Sequence, residues 1–178
     1  MKKAILILFL LFLIIISVCG HTQDLVEFSD GLFRVEIKGK YGFVDANNNI
    51  VIRPKYDNVG ELSNGLVWIN LKNKYGYINQ NGKVVVPVKY NYTSDFIDGL
   101  AIVSISGSKY GLIDKTGKIV IPMKYNAIGK FSEGLAKVWL DDKSGYVDQT
   151  GKEVIPIKYD EIENFSEGFA KVKVNSGN

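Results

Sequence analysis

Glycine recurs along this chain on a fixed step. Gly31, Gly65, Gly99, Gly134 and Gly168 stand 34, 34, 35 and 34 residues apart. Gly42, Gly76, Gly111 and Gly145 keep the same rhythm, and so do Tyr56, Tyr90, Tyr125 and Tyr159. A period of this size marks supersecondary units that bury their faces against one another. Four complete units run from about Gly31 to Asn164, with a partial unit before them (Leu25 to Asp30) and another from Phe165 to Asn178. The extra residue of the third unit falls in Ser104-Ile105-Ser106-Gly107-Ser108, a loop composition that absorbs an insertion. No linker interrupts the series, so residues 21–178 read as one β-repeat domain.

Within each unit the glycine is followed by strict alternation, the signature of a strand. One side is apolar in every copy: Val67, Ile69 and Leu71; Ala101, Val103 and Ile105; Ala136, Val138 and Leu140. The other side varies. Arg34, Trp68, Ile102, Lys137 and Lys171 share one position, and Glu36, Asn70, Ser104, Trp139 and Lys173 the next. The first side reads as core, the second as a surface for solvent or ligand. A second strand carries an aromatic-Gly pair, as in Tyr75-Gly76-Tyr77-Ile78, where glycine implies close backbone approach. A turn follows, Asn79-Gln80-Asn81-Gly82, with Asn48 standing in the first copy where the others have Gly. Asn is the best replacement for Gly at positive φ, so a hairpin with a left-handed last position is expected. The third strand is short and apolar, and Pro54, Pro87, Pro122 and Pro156 are expected to end it. No stretch keeps a helical apolar period. The reading is all-β, with about three short antiparallel strands per ~34-residue repeat. An open β-repeat array is favoured over a small β-propeller, whose blades usually need four strands and about 40 residues or more.

Charge narrows the function classes. The formal net charge is +3, and Lys2 and Lys3 supply two of those charges. A dedicated nucleic-acid binder needs a concentrated basic surface, which this balance does not offer. Residues 1–20 read as a signal peptide, with Lys2 and Lys3 as the basic start and Ala4 to Val18 as the apolar run. The single cysteine, Cys19, ends that run. Ile16-Ser17-Val18-Cys19 resembles a lipobox, in which Cys19 would carry a lipid, although Val18 departs from the usual small residue. Ordinary cleavage after Gly20 is the alternative, and an uncleaved anchor a third. Beyond Gly20 no cysteine remains for a disulfide or a thiolate metal site.

Lys74-Tyr75-Gly76-Tyr77-Ile78-Asn79-Gln80-Asn81-Gly82-Lys83-Val84-Val85-Val86-Pro87, then Lys89-Tyr90, and Phe131-Ser132-Glu133-Gly134-Leu135-Ala136-Lys137-Val138 resemble the bacterial WG-repeat (KWG) family. The similarity covers nearly everything after residue 25. It departs at the name-giving pair, which here reads Tyr41-Gly42, Tyr75-Gly76, Tyr110-Gly111 and Ser144-Gly145. The resemblance implies a tandem β-repeat array, often exported, and carries no catalytic residues with it.

The residues themselves offer little for catalysis. His21 is the only histidine and lies beside the leader, outside the repeats, which removes Ser-His-Asp and Cys-His arrangements. Asp141-Asp142 is the only adjacent acid pair and reads as a solvated turn. Asp45, Asp114 and Asp148 are too sparse for a calcium loop and read as self-capping turn residues. No cofactor or metal is expected. Trp68 and Trp139 are the speculative ligand-binding residues, because an outward indole can stack on a sugar or anchor a protein. The alternative is that they pack on a neighbouring unit. The expectation is an exported, non-enzymatic protein presenting a protein- or glycan-binding surface at the cell envelope. Its partner would be a protein or a cell-surface polysaccharide, without nucleic acid, and with membrane contact only through a lipid on Cys19. A structural spacer and a carboxylate-dependent glycan-active enzyme are the other readings.

Overall fold

In the computed structural model, residues 27–29 and 31–173 are described, and among them every regular element is a strand. The signal-peptide segment, Cys19 and His21 lie outside the described residues, as does Val174. The chain divides into two compact units, Met1–Tyr56 and Asp57–Asn178.

The first unit holds one antiparallel sheet in the order β1 (Glu27–Ser29), β2 (Leu32–Ile37), β3 (Lys40–Asp45), β4 (Ile50–Tyr56). The second unit repeats that meander three times. Its sheets are β5 (Asn58–Ser63) to β6 (Leu66–Leu71), β7 (Lys74–Asn79) and β8 (Val84–Tyr90); β9 (Tyr92–Thr93) to β10 (Leu100–Ser104), β11 (Tyr110–Asp114) and β12 (Ile119–Tyr125); and β13 (Ala127–Ser132) to β14 (Leu135–Leu140), β15 (Lys143–Asp148) and β16 (Glu153–Tyr159). A hairpin of β17 (Glu161–Ile162) and β18 (Val172–Lys173) follows. Among the described residues no strand crosses between sheets, since β1 pairs with β2 and β18 with β17. The sheets therefore form an open series and not a closed propeller.

Each full sheet has four strands where the sequence suggests three. The additional one precedes the Gly corner, as in Asn58–Ser63. Its alternation is broken by a bulge: Val59 pairs with Ile69, but Leu62 pairs with Val67. The corner itself is a hairpin turn inside the sheet, with Asn64 at φ 56° and Gly65 at φ 79°, as the twist-matched two-residue turn requires. The break between sheets falls instead after Tyr56, Tyr90, Tyr125 and Tyr159.

The prolines do not end strands. Pro87 lies inside β8, and Pro54, Pro122 and Pro156 are likewise internal to β4, β12 and β16. These are the last strands of their sheets, where a missing N–H removes no ladder bond. They are also bulged. Tyr75 pairs with Tyr90 and Tyr77 with Val86, so Pro87, Val88 and Lys89 pass opposite the single residue Gly76. A Cβ on Gly76 would sit 2.6 Å from the Val86 carbonyl oxygen and 2.8 Å from the Val88 nitrogen. The expected close backbone approach is thus the bulge of the neighbouring strand folding over the glycine.

The asparagine and aspartate turns form as expected. Asn79 Oδ1 accepts from the Asn81 and Lys83 amides at 3.1 and 3.0 Å, and the Gly82 amide donates to the Asn79 carbonyl. Asn48 takes φ 63°, close to the 74° of Gly82.

Packing between sheets of the second unit explains the long apolar runs. One core joins Leu66, Tyr77, Val86 and Tyr90 to Phe96, Ala101, Val103 and Ile113 of the next sheet. Another joins Leu112, Ile121 and Tyr125 to Ala136, Val138 and Val147. Ile113 and Leu112 are adjacent on β11 yet belong to different cores, so the β9–β12 sheet is buried on both faces. Strands covered on both sides lose the polar half of their alternation. The varied face of β10 is accordingly not a free surface, for Ile102 packs on the second core and Ser104 is wholly buried.

Polar ties fasten successive sheets. The Lys74 ammonium donates to Asn91, Lys109 to Asn126 at 3.0 Å and Lys143 to Asp160 at 2.6 Å. Two inter-sheet tyrosines add to this. Tyr77 bonds Thr93 and the Ser94 carbonyl, and Tyr146 donates to the Glu163 carbonyl at 2.8 Å. Burial pushes the Tyr77 phenol well above its ordinary range. The Tyr125 hydroxyl, by contrast, is buried without a partner. An unsatisfied buried hydroxyl costs roughly 1–3 kcal/mol and a satisfied one contributes about 1. Tyr125→Phe should therefore leave stability unchanged or raise it, while Tyr77→Phe should lower it by about 1–2 kcal/mol, read from urea unfolding midpoints.

Candidate functional site

The two faces of β14 have different fates. Ala136 and Val138 point into the core shared with the preceding sheet. Leu135, Lys137 and Trp139 take the opposite side, and with Phe131 of β13, Tyr146 of β15 and the Asn164-Phe165 segment they line a cleft of about 320 Å³. Tyr146 holds the far wall. Its hydroxyl accepts from the Phe165 amide at 3.0 Å, and the two ring centroids lie 5.8 Å apart.

The equivalent position one sheet earlier explains why the cleft is open here. Trp68 occupies the repeat position of Lys137, and Gly60 that of Gly129. The Trp68 indole lies directly against Gly60, where a Cβ would collide with the ring, and its edge meets Tyr75 at a centroid distance of 5.8 Å. Trp68 is half-buried and packs on the first core, so it fills its own sheet. In the fourth sheet Lys137 replaces that indole. Its ammonium stands 4.9 Å over the Trp139 ring and donates to the Ile162 carbonyl.

Trp139 has a packing role as well. It is the direct cross-strand partner of Ser144. In the other sheets that pair reads Glu36 with Tyr41, Asn70 with Tyr75, and Ser104 beside Tyr110. The aromatic ring missing from the Ser144-Gly145 pair is supplied from the adjacent strand. Sequence reasoning singled out both tryptophans but not the difference between them. The signal was available in Gly60 and Gly129, whose partners differ. It missed Lys137, Phe131, Tyr146 and Phe165, which no motif marks.

Chemically the cleft offers aromatic rings, two lysines, a serine and an asparagine. None of its lining side chains is a carboxylate, histidine or cysteine. Among the described residues no group of three or more His, Cys, Asp or Glu side chains gathers as a metal site. The turn acids are committed to their own loops. Asp114 Oδ1 accepts from the Thr116 hydroxyl and from the Thr116 and Lys118 amides, and Asp148 repeats this with Thr150 and Lys152. The Thr116 hydroxyl bond, followed by the amides, holds the Asp114 carboxyl below its ordinary value, as Thr150 does for Asp148 and Asn49 for Asp45.

A depressed carboxylate stabilises the fold at pH values above its unfolded pKa and loses that contribution as pH falls through the folded one. Denaturation midpoints should hold steady down to about pH 5 and fall below about pH 4. The combined Asp45→Asn, Asp114→Asn and Asp148→Asn variant should fall less steeply, with the natural Asn79 turn as the uncharged template. Millimolar calcium should not shift the melting temperature of either protein.

A family profile described as "WG containing repeat" matches the chain four times, at residues 41–75, 75–108, 110–143 and 145–177. No curated protein matches the chain.

Proposed function

The chain belongs to the WG-containing repeat family, and from that premise we propose an exported, non-enzymatic binding protein of the cell envelope. It presents its repeats as a scaffold and takes a protein or a surface glycan in the Trp139 cleft. The observation that carries the reading is the difference between equivalent places. Where Trp68 seals the second sheet against Gly60, Gly129 and Lys137 leave the fourth sheet open beside Trp139. A rigid array with one unsealed joint is suited to recognition, since concave apolar sites with a few fixed polar groups are what ligands occupy. Export is supported by the leader pattern of residues 1–20, with Cys19 as the lipid-bearing residue or Gly20 as the cleavage point.

Absence of a carboxylate from the cleft lining favours binding over carboxylate-dependent glycan hydrolysis, which needs a pair of acids flanking the bond. The spacer reading draws on a separate observation. Lys74–Asn91, Lys109–Asn126 and Lys143–Asp160 clamp each sheet to the next, as a stiff support requires.

The tryptophans separate these readings. Trp68→Ala should lower stability by about 2–3 kcal/mol, as loss of a packed aromatic does, while leaving partner capture unchanged at a temperature where the protein is folded. Trp139→Ala should weaken capture of envelope material by about tenfold or more, the cost of an aromatic anchor. A spacer would show only the stability losses. Release of sugar or peptide fragments by the purified protein would overturn the non-enzymatic reading.

A further inference from the structure

Charge distribution around the cleft goes further than its shape. Lys137 is held between the Trp139 ring and the Ile162 carbonyl, neither of which bears a full negative charge. Lys130, also in the lining, is exposed and forms no ion pair. The neighbouring acids are engaged elsewhere. Glu133 accepts from the Glu167 and Gly168 amides at 3.2 and 3.4 Å, and Glu163 pairs with Lys171 at 3.0 Å. Two uncompensated cations thus stand beside the rings of Trp139, Phe131 and Phe165.

Resting on the binding reading above, we infer that the Trp139 cleft takes an anionic sugar unit of a polysaccharide. The sugar ring packs on the aromatic wall while its acid group pairs with Lys137 and Lys130. Each half of that ligand answers one half of the site. A pyranose ring has an apolar C–H face that suits an aromatic surface. An acid group brings the charge that neither the Ile162 carbonyl nor the indole gives Lys137, and charge-assisted bonds are the strong ones. A cleft of about 320 Å³ lies at the small end of ligand sites, about 300–1,000 Å³, and fits one or two rings better than a long chain segment. The lysines also distinguish this site from its counterpart at Trp68, where an indole occupies the cation's place. One binding position per chain follows, despite the repetition.

The test is titration of the purified protein with three polymers: oligogalacturonate, its methyl ester, and polyphosphate. The ester keeps the ring and removes the charge; polyphosphate keeps charge and lacks the ring. Oligogalacturonate should bind with one site per chain and weaken as salt rises. The ester and polyphosphate should each bind about tenfold to a hundredfold more weakly, the loss expected when charge-assisted bonds or ring packing are removed. Lys130→Ala, which disturbs no packing, should weaken oligogalacturonate alone, and Lys137→Met should do so more strongly with an unchanged melting temperature. Equal binding of the ester would overturn the anionic assignment and leave a glycan-binding cleft. Equal binding of polyphosphate would overturn the sugar assignment. Failure of all three polymers would overturn the inference outright, and Trp139→Ala in the capture experiment would then decide the binding reading separately.

Discussion

A four-stranded sheet with apolar residues on both faces cannot stand alone in water, and this constraint organises the second unit. Each sheet there is covered by its neighbour through a core of Leu, Val, Ile, Tyr and Phe side chains. The burial of apolar area, at about 25 cal/mol per Å², is therefore shared between sheets and not held within one. A repeat of this type has no private core. The aromatic-Gly pair serves the same end from inside the sheet. By letting the bulged edge strand fold over Gly76, Gly111 or Gly145, it bends the last strand inward. Val86 and Ile121 are buried beside that bulge, and each lies in one of the two cores.

Polar contacts refine what the cores dictate. The lysine opening each third strand reaches the residue after the buried tyrosine, and the amide or carboxylate there also meets the turn of the next sheet. Asn126, for example, accepts from Lys109 and from the Asp141 amide at 2.8 Å. Surface pairs of this kind are worth at most about 1 kcal/mol each. Their value lies in fixing the angle at which one sheet meets the next, which the non-directional apolar contacts leave free.

Much of this was legible in the residues. The period, the strand after each corner glycine and the Asn/Asp-to-Gly turn all rest on local backbone chemistry, and Asn48 substituting for Gly is a signal that sequence carries by itself. The strand Asn58–Ser63 and its equivalents were not legible, because the bulge between Val59 and Leu62 destroys the alternation by which strands are recognised. Proline misled for a related reason: its missing donor forbids an interior strand, but whether a strand is interior is a property of the sheet. The assignment of core and outer faces failed at Ile102 and Ser104 because a sheet between two neighbours has no outer face. As for the site, Trp68 and Trp139 were found by residue type, yet their different surroundings depend on Gly60, Gly129 and Lys137, which speak only when the strands are paired.

The adjacency of Leu112 and Ile113 on β11 has a consequence for fidelity of assembly. Shifting this strand by one position relative to its neighbours would exchange the two residues between cores and bring Gly111 out from under its bulge. A misaligned intermediate thus fails on both sides at once and has no face on which to persist. The tandem design, which multiplies near-identical strands and so multiplies the chances of mispairing, carries its own proofreading in the alternation of a single buried strand.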